Sequence, residues 1–169
     1  RPPMLAELEP VSGHYMQLEI QGRRNRVYFE QAGQGIPLLC LHTAGADGSQ
    51  FRHLLNDPEI TRNYRVIAFD MPWHGKSLPP AGYHLEEYRL TTDLYVDTVL
   101  AVCQGLALEQ PVVMGCSMGG RIVLQLALAH GADLRAVIGL ESADHQQPWY
   151  DTDWLHRPDV HGGEVSAAL

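Results

Sequence analysis

Gly115-Cys116-Ser117-Met118-Gly119-Gly120 is the stretch whose reading decides the fold. Before it runs Pro111-Val112-Val113-Met114-Gly115, an apolar segment of strand length. After it Met118 to His130 is apolar on nearly every side, through Ile122, Val123, Leu124, Leu126 and Leu128. The first segment predicts a strand covered on both faces, the second a buried helix that Gly131 ends. A serine on so abrupt a strand-to-helix turn is expected to hold a strained backbone, with small residues two positions to either side avoiding the neighbouring chain. Its hydroxyl would stand above the sheet at the positive end of the helix. A glycine-rich corner with an incidental serine is the competing reading, and the flanking pattern disfavours it.

Outward from this corner, Ile36-Pro37-Leu38-Leu39-Cys40-Leu41, Tyr64-Arg65-Val66-Ile67-Ala68-Phe69 and Leu134-Arg135-Ala136-Val137-Ile138-Gly139-Leu140 read like Pro111 to Gly115. Together they predict four buried strands. Tyr15 to Ile20 and Arg26 to Gln31 alternate as a hairpin joined across Gln21-Gly22-Arg23-Arg24-Asn25. The cluster Arg23, Arg24 and Arg26 then reads as a solvated turn rather than a binding patch. Ser49 is expected to cap a short helix carrying Phe51, Leu54 and Leu55. Thr92 or Asp93 is expected to cap a longer one through Leu94, Val99, Val102, Cys103 and Leu106. Strands alternating with helices predict an α/β fold on a mostly parallel sheet.

Composition excludes several functions. The 169 residues are 45% hydrophobic and 19% charged, as in one soluble domain with a single core. Lys and Arg number 12 against 20 Asp and Glu, a net charge of −8, which argues against nucleic-acid and membrane-surface partners and leaves a small molecule or another protein. No apolar run approaches the roughly 18 residues of a bilayer span, and acids sit near the first residue, so a cytoplasmic location is expected. Cys40, Cys103 and Cys116 are odd in number and lack metal-site spacing, so they read as free core thiols. Lys76-Ser77 does not end a phosphate loop, because its first glycine would fall at Asp70. Gly33-Gln34-Gly35 lacks the third glycine of a dinucleotide fingerprint, and Asp151-Thr152-Asp153 reads as a solvated loop rather than a metal site. No cofactor and no metal are expected.

The corner and two further segments make the chain resemble the α/β-hydrolase superfamily over roughly residues 15 to 145. Leu41-His42-Thr43-Ala44-Gly45 is similar to the family's His-Gly oxyanion loop, with Thr43 where glycine is usual. Asp70-Met71-Pro72-Trp73-His74-Gly75-Lys76-Ser77 is similar to its Asp-x-x-Gly-x-Gly-x-Ser turn, with Trp73 replacing a glycine. The resemblance implies a twisted, mostly parallel sheet with helices on both faces, Ser117 as nucleophile, and the N–H groups of Met118 and Ala44 as oxyanion hole. It also implies a base and an orienting acid. Glu141, after the sixth strand, is the candidate acid by likeness to the haloalkane-dehalogenase-like branch; the alternative is that Glu141 or Asp144 caps the loop. The family's histidine follows the last strand of an eight-stranded sheet. His145, His156 and His161 lie instead where a lid usually begins.

The chain is therefore expected to be an N-terminal part of a longer hydrolase, truncated after strand six, with residues 1–144 forming core and 145–169 beginning a lid. Ending there would expose the apolar edge Ala136 to Leu140, and Arg157 to Gly163 is the sort of polar loop that proteases cut. The C-terminal remainder, continuous or as a separate chain, is the expected partner beside a small acyl substrate. His42, Met71, Trp73 and Trp149 are candidates for the substrate pocket, Met71 and Trp73 at its mouth; Trp149, Tyr150 and Trp154 line a lid or simply pack. The expected reaction is cleavage of a carboxylic ester or related acyl compound through an acyl-enzyme on Ser117. Carbon–carbon bond or lactone hydrolysis and a non-catalytic lobe are the alternatives.

Overall fold

Alternating side chains explain the first hairpin of the computed structural model, which describes residues 4–142. β1 (Ser12–Ile20) and β2 (Arg23–Ala32) pair antiparallel with Ile20 opposite Arg23. The turn is thus Gln21-Gly22 alone, both at positive φ (51° and 73°), the two-residue geometry that matches strand twist. This corrects the expected five-residue turn. Arg23 and Arg24 belong to β2, and Arg23 is held by Glu86 at 2.9 Å and by the Ala81 carbonyl at 2.8 Å.

Four parallel strands follow: β3 (Ile36–Leu41), β4 (Tyr64–Phe69), β5 (Val112–Cys116) and β6 (Ala136–Leu140). The sheet order is β1-β2-β4-β3-β5-β6, with β2 antiparallel to β4. Period-two alternation sends Leu39, Leu41, Ile67, Phe69 and Val113 to one face and Leu38, Cys40, Val66, Ala68 and Met114 to the other. The first face packs on α3 (Thr92–Gly105) and α4 (Met118–His130) through Tyr95, Val99, Val102, Ile122, Val123 and Leu126. The second packs on a 3₁₀ turn at Gly48–Phe51 and α1 (Arg52–Leu55) through Phe51 and Leu55; the short α2 (Pro58–Thr61) leads into β4. Each fully buried aliphatic or aromatic side chain contributes about 1.5–3 kcal/mol. The expected mostly parallel sheet with helices on both faces is present.

Local corrections have local causes. Asp47, not Ser49, caps the turn before α1, its carboxylate accepting from Ser49 N at 2.8 Å. Thr91, not Thr92 or Asp93, caps α3, accepting from Leu94 N at 3.1 Å. α4 does end at His130 with Gly131 as its C-cap, as expected, but Gly131 stays right-handed (φ −56°, ψ −29°) and opens a 3₁₀ turn rather than a left-handed stop. α4 is buried on one side only, with Leu128 81% exposed, and among the described residues β6 is the sheet edge, leaving Ile138 and Leu140 exposed as expected for an ending after strand six. No helix among the described residues is long and apolar enough to cross a membrane. All three cysteines are free, and burial pushes the Cys40 thiol up to about 12.

Candidate active site

The site lies at the carboxyl ends of the parallel strands, where β3, β4 and β5 each release a loop. Ser117 sits between β5 and α4 at φ 54°, ψ −109°, a conformation costly for any residue with a Cβ. Three constraints hold it there. Its N–H donates to the Leu140 carbonyl at 2.9 Å, its carbonyl accepts from Arg121 N at 2.9 Å, and the glycines on either side remove obstructing atoms. A Cβ on Gly115 would run into the Gly119 carbonyl, and one on Gly119 into the Leu41 carbonyl.

A serine at a helix N-cap ordinarily accepts a hydrogen bond from the first turn. Ser117 makes no such bond, and its side chain is exposed and hydrogen-bonded to no described residue. The hydroxyl is free for chemistry at the positive end of α4.

Ala44 and Met118 line one cavity of about 240 Å³ together with His74, Tyr88, Thr91 and Arg121. The backbone N–H groups of Ala44 and Met118 form no hydrogen bond among the described residues. Two donors without partners among the described residues, on residues that line a cavity next to an exposed serine, can receive an oxyanion. The Ala44 loop is held from beneath. Thr43 N donates to Gln50 Oε1 at 3.0 Å, and His42 Nδ1 bonds the Thr43 carbonyl at 2.8 Å. His42 Nε2 accepts from Met71 N at 3.1 Å, so the ring proton sits on Nδ1, and Tyr95 OH donates to the His42 carbonyl at 3.0 Å. Burial holds this imidazole neutral, lowering its pKa to about 4.

His42 and Met71 are accordingly core residues, fully buried, and do not line the pocket as expected. Their place in family-like loops is real, but the ring of His42 is consumed in tying the β3 loop to the β4 loop. Trp73 lines a second cavity, with Arg23, Glu86 and Leu94, rather than the one beside Ser117; Tyr88 borders both. Trp73 takes φ 72°, the left-handed conformation that a glycine would supply there, and its ring packs on Tyr83 and Tyr88 at centroid distances of 5.4 and 5.3 Å. The same loop is fastened by Asp70, whose carboxylate accepts from Gly48 N and Lys76 N, both at 2.7 Å. Burial raises the Asp70 pKa more than these bonds lower it.

Glu141 follows β6 at φ 48° and is exposed. Leu140 pairs with Cys116, so the register sets Glu141 level with Ser117 on the neighbouring strand. Trp149, Tyr150, Trp154, Asp144, the 151–153 acids and His145, His156 and His161 lie outside the described residues. Among the described residues no cluster of His, Cys, Asp or Glu could hold a metal ion. The motif reading passed over Arg121, although Met118, Arg121 and Ile122 occupy one face of the first turn of α4 and all three line the cavity.

Residues 36–159 match the family model described as the alpha/beta hydrolase fold. The chain belongs to this family. This α/β hydrolase is 31% identical over 137 residues to a 2-hydroxymuconate semialdehyde hydrolase of Pseudomonas sp. (strain CF600), which covers 79% of this chain and 47% of that protein. It is 38% identical over 112 residues to the magnesium-chelatase 30 kDa subunit of Rhodobacter capsulatus, covering 66% of this chain and 36% of that one. Among solved structures, a single-substitution mutant of the N-acyl homoserine lactonase AidH, in complex with N-hexanoyl homoserine, matches with a TM-score of 0.63 and 29% identity, over 78% of this chain and 46% of that one. The chain thus spans about half the length, or less, of the relatives it matches.

Proposed function

We propose that the protein is a serine hydrolase that cleaves a carboxylic ester or related acyl compound through an acyl-enzyme on Ser117. The observation that carries the reading is a strained, exposed, non-capping serine next to a cavity lined by Ala44 and Met118, whose backbone N–H groups have no partner among the described residues. Attack of the Ser117 oxygen on a carbonyl carbon leaves negative charge on the carbonyl oxygen, which those donors stabilise; losing one such donor typically costs about 3 kcal/mol of barrier. Glu141 is the acid that orients the base, by its register beside Ser117. The base is a histidine from outside the described residues, on this polypeptide or a C-terminal partner chain.

Hydrolysis of a lactone or of a carbon–carbon bond on the same serine is the second reading, favoured by the similarity to AidH and to the 2-hydroxymuconate semialdehyde hydrolase. Treatment of the native sample with a fluorophosphonate, followed by denatured intact mass, tests the common step. An adduct on the 18.8 kDa chain that Ser117→Ala abolishes is expected. A chain that stays unmodified would favour a non-catalytic hydrolase-like lobe, and an adduct that survives Ser117→Ala would refute Ser117 as the nucleophile.

A further inference from the structure

Arg121 lines the cavity next to Ser117 and has no side-chain partner among the described residues. Its Nε is shielded from solvent and has no hydrogen-bond partner, and no ion pair engages its guanidinium among the described residues. Among the described residues no acid lines the cavity either; beside Arg121 its lining includes His74, Tyr88, Thr91 and Thr92. A buried N–H without an acceptor is destabilising, so among the described residues Arg121 keeps a donor that none of them satisfies.

We propose that Arg121 recognises a carboxylate carried by the substrate, so that this site takes anionic acyl compounds such as half-esters of dicarboxylic acids; the proposal rests on the hydrolase reading of Ser117. Three observations converge on it. Arg121 lies one helical turn beyond Ser117, and its own N–H fixes the Ser117 carbonyl at 2.9 Å, so its stem is anchored to the residue that would react. It shares a face with Met118, whose N–H is an oxyanion donor, which places the cation and the candidate reaction centre on one wall. The cavity, about 240 Å³, suits a short acyl compound, and a planar guanidinium receives a carboxylate through two parallel N–H donors. The anion that completes the hydrogen bonding of Arg121 would also hold the reacting carbonyl at a set distance from Ser117.

Binding separates this inference from the hydrolytic one. Calorimetric titration of the protein with glutaramate (the monoamide of glutarate) and with neutral pentanamide, neither bearing an ester, compares two ligands that differ in the terminal carboxylate. The expected result is at least tenfold tighter binding of glutaramate by the wild type, a ratio that falls to near one in Arg121→Gln and is partly restored in Arg121→Lys, which keeps charge without the planar fork. Equal affinity of the two ligands for the wild type would overturn the proposal without need of a variant. So would a preference that persists in Arg121→Gln. Preference for glutaramate in a protein that no fluorophosphonate labels would retain the carboxylate site while refuting the acyl-enzyme.

Discussion

Replacing Gly115 by Ala tests the closeness of the corner that holds Ser117. A Cβ at this position would collide with the Gly119 carbonyl and lie 2.8 Å from Gly120 N. Both obstacles are backbone of the first turn of α4, so no side chain can rotate away. Relief requires α4 to slide off β5, and overpacking of this kind costs about 1–3 kcal/mol, or roughly 3–10 °C in melting temperature for a chain of this size. The same slide displaces Met118 N and Ser117 together, and a shift of about 1 Å in such groups lowers reactivity on the order of 100-fold. The control is Gly131→Ala. Gly131 is right-handed, and a Cβ there meets nothing within 4 Å, so this change should stabilise by about 0.4–1 kcal/mol through the unfolded chain. Thermal unfolding followed by circular dichroism, with the rate of fluorophosphonate labelling, reads both effects. A Gly115→Ala protein that melts and labels like wild type would refute the close approach; equal losses in both variants would show that steric contact is not the cause.

Two further outcomes are expected. Ser117→Gly should raise the melting point by a few degrees, corresponding to about 1 kcal/mol of relieved backbone strain, while abolishing labelling; a lower melting point would mean that the serine side chain stabilises the corner. Lowering pH from about 7.5 to 4 should destabilise the protein through His42, whose pKa is lowered from 6.5 to about 4. Between those values the unfolded chain binds the proton and the folded one does not, so stability rises with pH across the window, by up to about 3 kcal/mol. Urea titrations across this range should show a shallower pH slope for His42→Gln, and an unchanged slope would assign the effect to another group.

The parallel strands and the serine corner were readable because burial on both faces leaves an unbroken apolar run and because a tight corner demands small residues at fixed offsets. The misread features depend on partners distant in sequence. Arg23 extends β2 past the expected turn and is held by Glu86 and the Ala81 carbonyl, neither of which local alternation can reveal. The loops after β3 and β4 were located correctly, but a motif does not tell which of its side chains faces the cavity, and His42 and Met71 turned inward. Arg121 carried a usable signal: on a helix whose second residue side is apolar, a cation in the first turn three positions from Met118 must share the wall of whatever Met118 borders.

Backbone strain separates a corner that only connects from one that acts. Six non-glycine residues among those described have positive φ. Gln21 forms a hairpin turn, Ala107 follows the end of α3 and Gln110 precedes β5, so their conformations serve chain reversal. The other three, Trp73, Ser117 and Glu141, all lie in segments leaving the carboxyl ends of β4, β5 and β6. Each costs on the order of 1–3 kcal/mol, and glycine would remove that cost at any of them. At Trp73 the retained side chain contributes ring packing on Tyr83 and Tyr88, an offsetting gain within the fold. At Ser117 there is no such gain among the described residues: the hydroxyl caps nothing, bonds nothing and stands exposed. A strained position that keeps a side chain without structural use among the described residues, held by bonds to Leu140 and Arg121 and by cleared space at Gly115 and Gly119, fits the nucleophile proposed for Ser117 better than a connecting corner.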